Sequence, residues 1–319
     1  MVNQPLVTVI IPTYNRAGKI TKAIQSVFDQ TYPNIQIVIV DDGSTDNTTE
    51  VINGFPKVEF YVQQHAGQAA ARNHGLKFAK GEYVATLDTD DVWMPEFLTV
   101  TLNKLIKDNL DFVFANWLQE DKRGKWNDYF IHYSYIKPFL NQTLNNWYVF
   151  EYTQLRKLYS LSCPSPSSAV VMRRSAIPSH GWNEEMVVAD DWCLYLDMIL
   201  NDPNLKVAFT KTPLWKKAIG INNLMDGRNR LDILKLVYVD DVNLLIDRFQ
   251  RLLSSSEIRF FEKMKAASLI ELAKNDFQHK HFKEGFKNLK IAFTTKKIYS
   301  LWAIPNIFFG GLGRFLKIV

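Results

Sequence analysis

Tyr83-Val84-Ala85-Thr86-Leu87-Asp88-Thr89-Asp90-Asp91 carries two signals in nine residues. The first four residues read as a short buried strand. Three carboxylates then crowd into four positions where that strand ends. In extended chain alternate side chains share a face, so Asp88 and Asp90 point into one site. Two like charges that close repel each other unless a cation neutralises them. Hard oxygen ligands favour Mg²⁺, Mn²⁺ or Ca²⁺ over softer metals. The competing reading is a polar turn in which an Asp caps the helix near Pro95. Taken alone, Asp-x-Asp recurs too often by chance to decide between the two; the flanking chain decides.

Upstream, Leu6-Val7-Thr8-Val9-Ile10-Ile11 is a continuous run stopped by Pro12, the pattern of a parallel strand buried on both faces. Thr13-Tyr14-Asn15-Arg16 follows as a polar loop, and Ile20, Ala23, Ile24, Val27 and Phe28 then recur at helical spacing. Ile35–Val40 reads as a second strand closed by Asp41-Asp42-Gly43-Ser44, Lys57–Val62 as a third, and Ala-rich Gln68–Ala79 as a helix. Strand and helix alternate four times over short connections, which predicts an α/β fold with a doubly wound, mostly parallel sheet. Such sheets bind ligands beyond the carboxyl ends of their strands. Here those ends carry Thr13-Tyr14-Asn15, Asp41-Asp42 and Asp88–Asp91, so the unusual polar residues gather on one rim. No Gly-x-Gly-x-x-Gly turn follows the first strand, which argues against a nicotinamide or flavin enzyme.

Downstream, Asp111–Asn116, Ser167–Met172 and Lys206–Thr210 are predicted as further strands. Residues 117–165, rich in aromatics from Trp117 to Phe150, suit an insertion that either stacks on sugar rings or forms a satellite core. From about Arg230 the pattern turns helical, which divides the chain into a sheet domain, 1–220, and a helical C-terminal region, 221–319. The tail from Ile298 to Val319 mixes aromatics with Lys296, Lys297, Arg314 and Lys317 and is broken by Pro305, Gly310, Gly311 and Gly313. It suits either peripheral contact with a membrane surface or packing back on the helices. No run of about 20 apolar residues spans a bilayer.

The 319 residues are 47% hydrophobic and 22% charged, ordinary for a globular protein, and the formal net charge of +5 is too weak to argue for nucleic acid. Cys163 and Cys193 exclude a disulfide scaffold and suit a reducing compartment. Met1–Pro5 does not resemble a signal peptide, so the expected location is cytoplasmic. His279 and His281 lack the further ligands of a zinc site.

Five motifs in order now carry a resemblance: Val9–Arg16, Val40–Asp46, Ala71-Arg72-Asn73-His74-Gly75, Leu87–Asp91 and Ala189-Asp190-Asp191-Trp192. Together they resemble the family 2 glycosyltransferases of the GT-A fold, a Rossmann-like sheet flanked by helices, over roughly residues 6–115 and 181–196. The resemblance implies transfer of a sugar, with inversion, from a nucleotide-diphosphate donor such as a UDP-sugar to a glycan or lipid-linked glycan. It implies work at the inner face of the plasma membrane in cell-surface polysaccharide assembly. Tyr14 looks like the residue lying against the nucleobase, with Pro12, Thr13 and Asn15 beside it. Asp42 looks like the acceptor of the base N–H and Asp41 the neighbour of the ribose, while Arg72 resembles the basic residue near base and diphosphate. Asp88 and Asp90, with Asp91, look like the motif for Mg²⁺ or Mn²⁺, and Asp191 aligns with the catalytic base. Asp190 stands where many members carry Glu, and with Trp192 is expected on the acceptor side.

Two rival functions use the same sheet. A nucleotidyltransferase would want a Gly-rich phosphate loop early in the chain, which Pro12-Thr13-Tyr14-Asn15 does not supply. A non-catalytic nucleotide-sugar-binding protein would have little reason to keep both Asp90 and Asp191.

Overall fold

The computed structural model describes residues 4–219 and 229–309. The chain divides into two compact units: Met1–Met186 with Asp190–Asn223, and Val187–Ala189 with Leu224–Val319. The expected division at 220/221 and the tail residues from Gly310 onward lie outside the described residues.

The first unit is built on a ten-stranded sheet. Its strands are β1 (Val7–Thr13), β2 (Ile35–Asp41), β3 (Glu59–Val62), β4 (Tyr83–Thr86), β5 (Asp91–Trp93), β6 (Phe112–Glu120), β7 (Trp126–Asp128), β8 (Trp147–Val149), β9 (Val170–Arg173) and β10 (Val207–Lys217). They lie in the order β3-β2-β1-β4-β9-β6-β10-β5, with β7 added beside β6 and β8 beside β10. The first four strands are parallel, and β1, β2 and β4 are buried almost throughout, as parallel strands covered on both faces are. β9 then runs antiparallel between β4 and β6, a direction that an apolar run does not encode. β6 and β10 pair parallel again.

The chain leaves β1 towards β2 on one side and returns through β4 on the other, so the strand order reverses between β1 and β4. That reversal opens a crevice at the carboxyl ends, where such sheets bind ligands. Register fixes what lies there. Thr13 pairs with Asp41, the Asp42 N–H donates to Thr13 O at 2.8 Å, and the Leu87 N–H donates to Ile10 O at 3.0 Å. The polar ends of three strands therefore share one rim, as the sequence predicts.

Helices α1 (Ala17–Phe28), α2 (Thr48–Asn53), α3 (Gln68–Lys77) and α4 (Phe97–Lys107) join the strands. α1 buries Ile20, Ala23, Ile24 and Val27 of the stripe its spacing predicts, while Phe28, the fifth, is 37% exposed. α3 comes closer to the sheet: a Cβ at Gly75 would stand 2.6 Å from Ile10 Cγ2, which only glycine avoids.

Residues 117–165 add α5 (Tyr129–His132), α6 (Lys137–Leu140) and α7 (Tyr152–Leu161). Their aromatics turn inward. Trp117 stacks on Tyr129 and Trp215, and Phe130 and Phe150 pack on Phe114 and Phe209. Of the two readings left open for this stretch, the core is the one observed; Trp126 is its most exposed large ring, at 37%. α8 (Asp190–Asn201) closes the unit against α7.

The second unit is helical: α9 (Arg230–Lys235) runs through one π-helical stretch, Leu236–Asp241, into α10 (Val242–Phe249). There follow α11 (Ser255–Gln278), α12 (Phe282–Thr295) and α13 (Lys297–Phe309). A capping box at Ser254 and Glu257 starts α11. Val239, Ala266, Leu269, Ile270, Ala292 and Ala303 form its core, with Tyr299 and Ile304 of the tail packed against it and Ile298 and Leu301 exposed. Among the described residues no helix is long and apolar enough to cross a membrane. Asp241, buried in the π-helical stretch, accepts the backbone N–H groups of Val187, Val188 and Ala189 at 3.3, 3.1 and 2.8 Å. An unsatisfied buried donor costs about 1–3 kcal/mol. Asp241→Ala is therefore expected to destabilise the helical unit by about 3 kcal/mol or more, read as a lowered thermal midpoint.

Candidate active site

Arg72 is the hub of the rim. It sits on α3, 1% exposed, and its guanidinium spans two carboxylates from distant chain. One nitrogen binds Asp88 Oδ1 at 2.7 Å, the other binds Asp190 Oδ2. Gln68, one turn earlier on α3, donates to Asp190 Oδ1 at 2.6 Å. Asp190 is therefore clamped from one helix on both oxygens, and Asp190 and Asp191 open α8. Asn73 adds a third tie: its Oδ1 accepts the Trp182 N–H at 2.8 Å and its Nδ2 donates to Trp182 O at 2.9 Å. The Arg72-Asn73-His74-Gly75 motif thus acquires a physical meaning. Arg72 joins carboxylates, Asn73 holds the segment leading to them, and Gly75 lets the helix lie close to β1.

The acidic residues differ in environment. Asp88 spends one oxygen on Arg72, and its N–H donates to Ser168 Oγ at 3.0 Å. Asp90 makes no hydrogen bond or ion pair among the described residues; burial and the Asp88 charge raise its pKa, while Lys19, Arg16 and Lys217 oppose the rise. Those three cations sit around the acidic motif, and composition gave no hint of them. Asp91 faces inward on β5, 3% exposed. Its Oδ2 accepts Ser168 Oγ–H at 2.6 Å and its Oδ1 has no partner, and burial raises its pKa well above the usual carboxylate range. Burial also raises Asp190, with Arg72 opposing. Burial, then repulsion from Asp190, pushes Asp191 up to about 7. Its Oδ1 accepts the Trp192 N–H at 2.7 Å.

Several expected contacts are already occupied. Asp41 accepts Ser44 N–H at 2.9 Å, Ser44 Oγ–H at 2.6 Å and Thr49 Oγ1–H at 3.0 Å, so it shapes its own turn. Asp42 accepts the Gln63 Nε2–H and the Ala66 N–H on Oδ1 and the Gly67 N–H on Oδ2, while its backbone O meets His65 Nδ1 at 3.1 Å. A carboxylate offers about four lone-pair directions, and the chain takes three of those on Asp42. Asn15, at φ +51°, accepts the Thr45 N–H at 2.7 Å and fixes the same turn. Trp192 is 4% exposed and gives its indole N–H to Tyr159 O at 2.7 Å; it locks α8 to α7 and does not line an acceptor surface. Pro12 and Thr13 are buried at the end of β1. Tyr14 is 40% exposed and stacks on His65 with ring centroids 4.1 Å apart. His65, which no motif marks, is thus the second ring of the exposed pair.

No group of three metal-ligating side chains occurs among the described residues. Mg²⁺-nucleotide sites need none, because one or two carboxylates plus substrate phosphates complete the shell. Asp90 without a hydrogen-bond partner, beside Asp88 and raised by burial and then by the Asp88 charge, is a donor set that fits a hard divalent cation.

Comparison with known proteins agrees with this architecture. TuaG of Bacillus subtilis, a glycosyltransferase assigned by name to teichuronic acid biosynthesis, is 37% identical over 134 residues, 40% of this chain and 53% of TuaG. The chain thus spans about half the length of that relative. S. aureus TarS 1–349, solved with UDP-GlcNAc, superposes with a TM-score of 0.57 at 19% identity over 93% of this chain and 92% of TarS 1–349. A mannosyltransferase from Pyrobaculum calidifontis, solved with GDP-Man and Mn²⁺, gives a TM-score of 0.56 at 17% identity over 96% and 81%. These two share the fold. The family model for glycosyl transferase family 2 matches residues 8–179, more than half of the chain. The alternating strands, the acidic rim and that match lead to one assignment: this chain belongs to glycosyl transferase family 2.

Proposed function

We propose that the chain transfers a sugar, with inversion, from a UDP-sugar to a hydroxyl of a cell-surface polysaccharide or its lipid-linked precursor. One observation carries this reading: a single guanidinium holds Asp88 of the acidic motif and Asp190, the neighbour of Asp191. That tie supports a reading in which donor-side and base-side carboxylates meet in one crevice while coming from different segments, as in-line inversion needs. Asp191, raised to about 7, is poised to accept the proton of an attacking hydroxyl near neutral pH. The exposed Tyr14–His65 pair offers a stacking wall to the nucleobase, and Asp42 keeps that wall in place through the 63–67 loop. Asp90, with Asp88, would hold Mg²⁺ or Mn²⁺, and such an ion supplies positive charge against the departing diphosphate. Arg16, Lys19 and Lys217 add fixed positive charge beside the same motif. The UDP nucleotide and the polysaccharide acceptor draw on what TarS and TuaG are named for; the residues favour a nucleoside diphosphate without selecting its base.

Calorimetry tests the donor half. UDP is expected to bind at least tenfold more tightly with Mn²⁺ than with a chelator, and Asp90→Ala is expected to remove most of that difference. Equal affinity with and without the ion in the native chain would overturn the assignment of Asp90.

A further inference from the structure

The chain's excess charge is concentrated far from the acidic rim in sequence. Residues 279–297 contain six lysines and one acid, Glu284, a formal +5 that equals the net charge of the whole chain. α12 runs through this stretch. At 100° per residue, Phe282, Phe286, Lys290, Lys283 and Lys287 fall in one arc of about 140°. All five are exposed, Phe282 at 56% and Phe286 at 65%. The opposite side carries Gly285 and Ala292, which are buried.

Both exposed rings are braced rather than loose. Phe277 of α11 meets Phe286 edge-on with centroids 5.0 Å apart and Phe282 at 6.2 Å. Gly285 makes room for this, since a Cβ there would stand 2.9 Å from the Phe277 ring. None of Lys283, Lys287 and Lys290 has a salt bridge among the described residues. Two large apolar rings held outward beside three unneutralised lysines match neither a core nor an ordinary solvated face. They match the interfacial helix pattern, in which rings enter the headgroup boundary and cations rest on anionic groups.

We propose that α12 docks the protein on an anionic lipid surface, Phe282 and Phe286 entering the interface and Lys283, Lys287 and Lys290 facing the lipid charges. A second copy of the chain is disfavoured as the occupant, because it would bring the same excess of positive charge against itself. Nucleic acid would satisfy the lysines but leaves the apolar edge beside them without a role. The surface belongs to the helical unit and does not depend on the proposed transfer reaction.

Flotation of the full chain with vesicles tests it. Binding is expected to vesicles of phosphatidylcholine mixed with phosphatidylglycerol, to fall as NaCl is added, and to be negligible with phosphatidylcholine alone. Each lysine near an anionic surface contributes about a fivefold factor, so Lys283→Gln, Lys287→Gln and Lys290→Gln together should weaken binding roughly 100-fold. Phe282→Ser with Phe286→Ser should weaken it at least tenfold. Both variants should keep the native UDP affinity and thermal midpoint, which separates lost docking from lost folding and from any failure of the transfer reading. Equal binding to neutral vesicles, native-like binding by either variant, comparable binding to duplex DNA, or concentration-dependent self-association abolished by these substitutions would each overturn the proposal.

Discussion

Asp191→Asn is expected to bind UDP and Mn²⁺ as the native chain does and to lose turnover by about 10²–10⁴-fold, the usual contribution of a positioned general base. The substitution keeps the shape of the side chain and an oxygen able to accept the Trp192 N–H that Asp191 accepts at 2.7 Å. It removes the basicity that burial and the Asp190 charge create. In the native chain kcat/KM should therefore rise with pH along a limb centred near 7, and that limb should vanish in Asp191→Asn. Stability should move the other way. A carboxyl whose pKa is raised on folding binds its proton more tightly in the native state, so its contribution is complete below the unfolded pKa near 4. It is lost as pH rises through about 7. Asp191→Asn removes that loss, so its midpoint should exceed the native one at pH 8 and match it more closely at pH 5, by roughly 2–4 °C per kcal/mol. Unchanged turnover would remove Asp191 from the mechanism. Such a result would favour a nucleotide-sugar-binding protein whose acidic pair only opens α8.

The strands and the rim were legible because they rest on local pattern. Val7–Thr13 is buried throughout and apolar but for Thr8 and Thr13, and Asp88, Asp90 and Asp191 stand at strand or helix ends where a pattern change marks them. Occupancy of those residues was less legible. Asp41 and Asp42 look uncommitted in sequence, yet each accepts three hydrogen bonds from residues between Ser44 and Gly67, and no spacing rule foretells how a loop folds back. His65 lies 23 residues from Asp42, and Gln68 lies 122 from Asp190, so both partnerships exist only in the folded sheet. Trp192 misled for a different reason: an aromatic beside a catalytic acid suggests a ligand surface, but its place on α8 turns it inward to Tyr159. The direction of β9 escaped because Val170–Arg173 is too short for its crossover to be inferred.

Arg72→Met should show how far the site depends on one guanidinium. Methionine fills most of the volume and carries no charge, so Asp190 would remain buried with only Gln68 to meet it, and Asp88 would lose its 2.7 Å partner. Removing one member of a buried ion pair typically costs about 3–5 kcal/mol, because the stranded charge stays desolvated. The penalty should depend on pH in a stated direction. Burial already raises the Asp190 pKa and Arg72 opposes that rise, so without Arg72 it climbs further. A raised carboxyl is satisfied when protonated, so the variant should lose least stability at pH 5 and most at pH 8. Asp190→Asn in the Arg72→Met background should recover part of the loss at pH 8 by deleting the stranded charge. It should recover no turnover, because Asp190 and Asp88 would still lack their common anchor. Urea midpoints at the two pH values separate this account from simple loss of packing, which would cost the same at both and would not respond to Asp190→Asn. If the penalty is flat with pH, Arg72 is a packed spacer, and the link between the acidic motif and the base must be sought elsewhere on the rim.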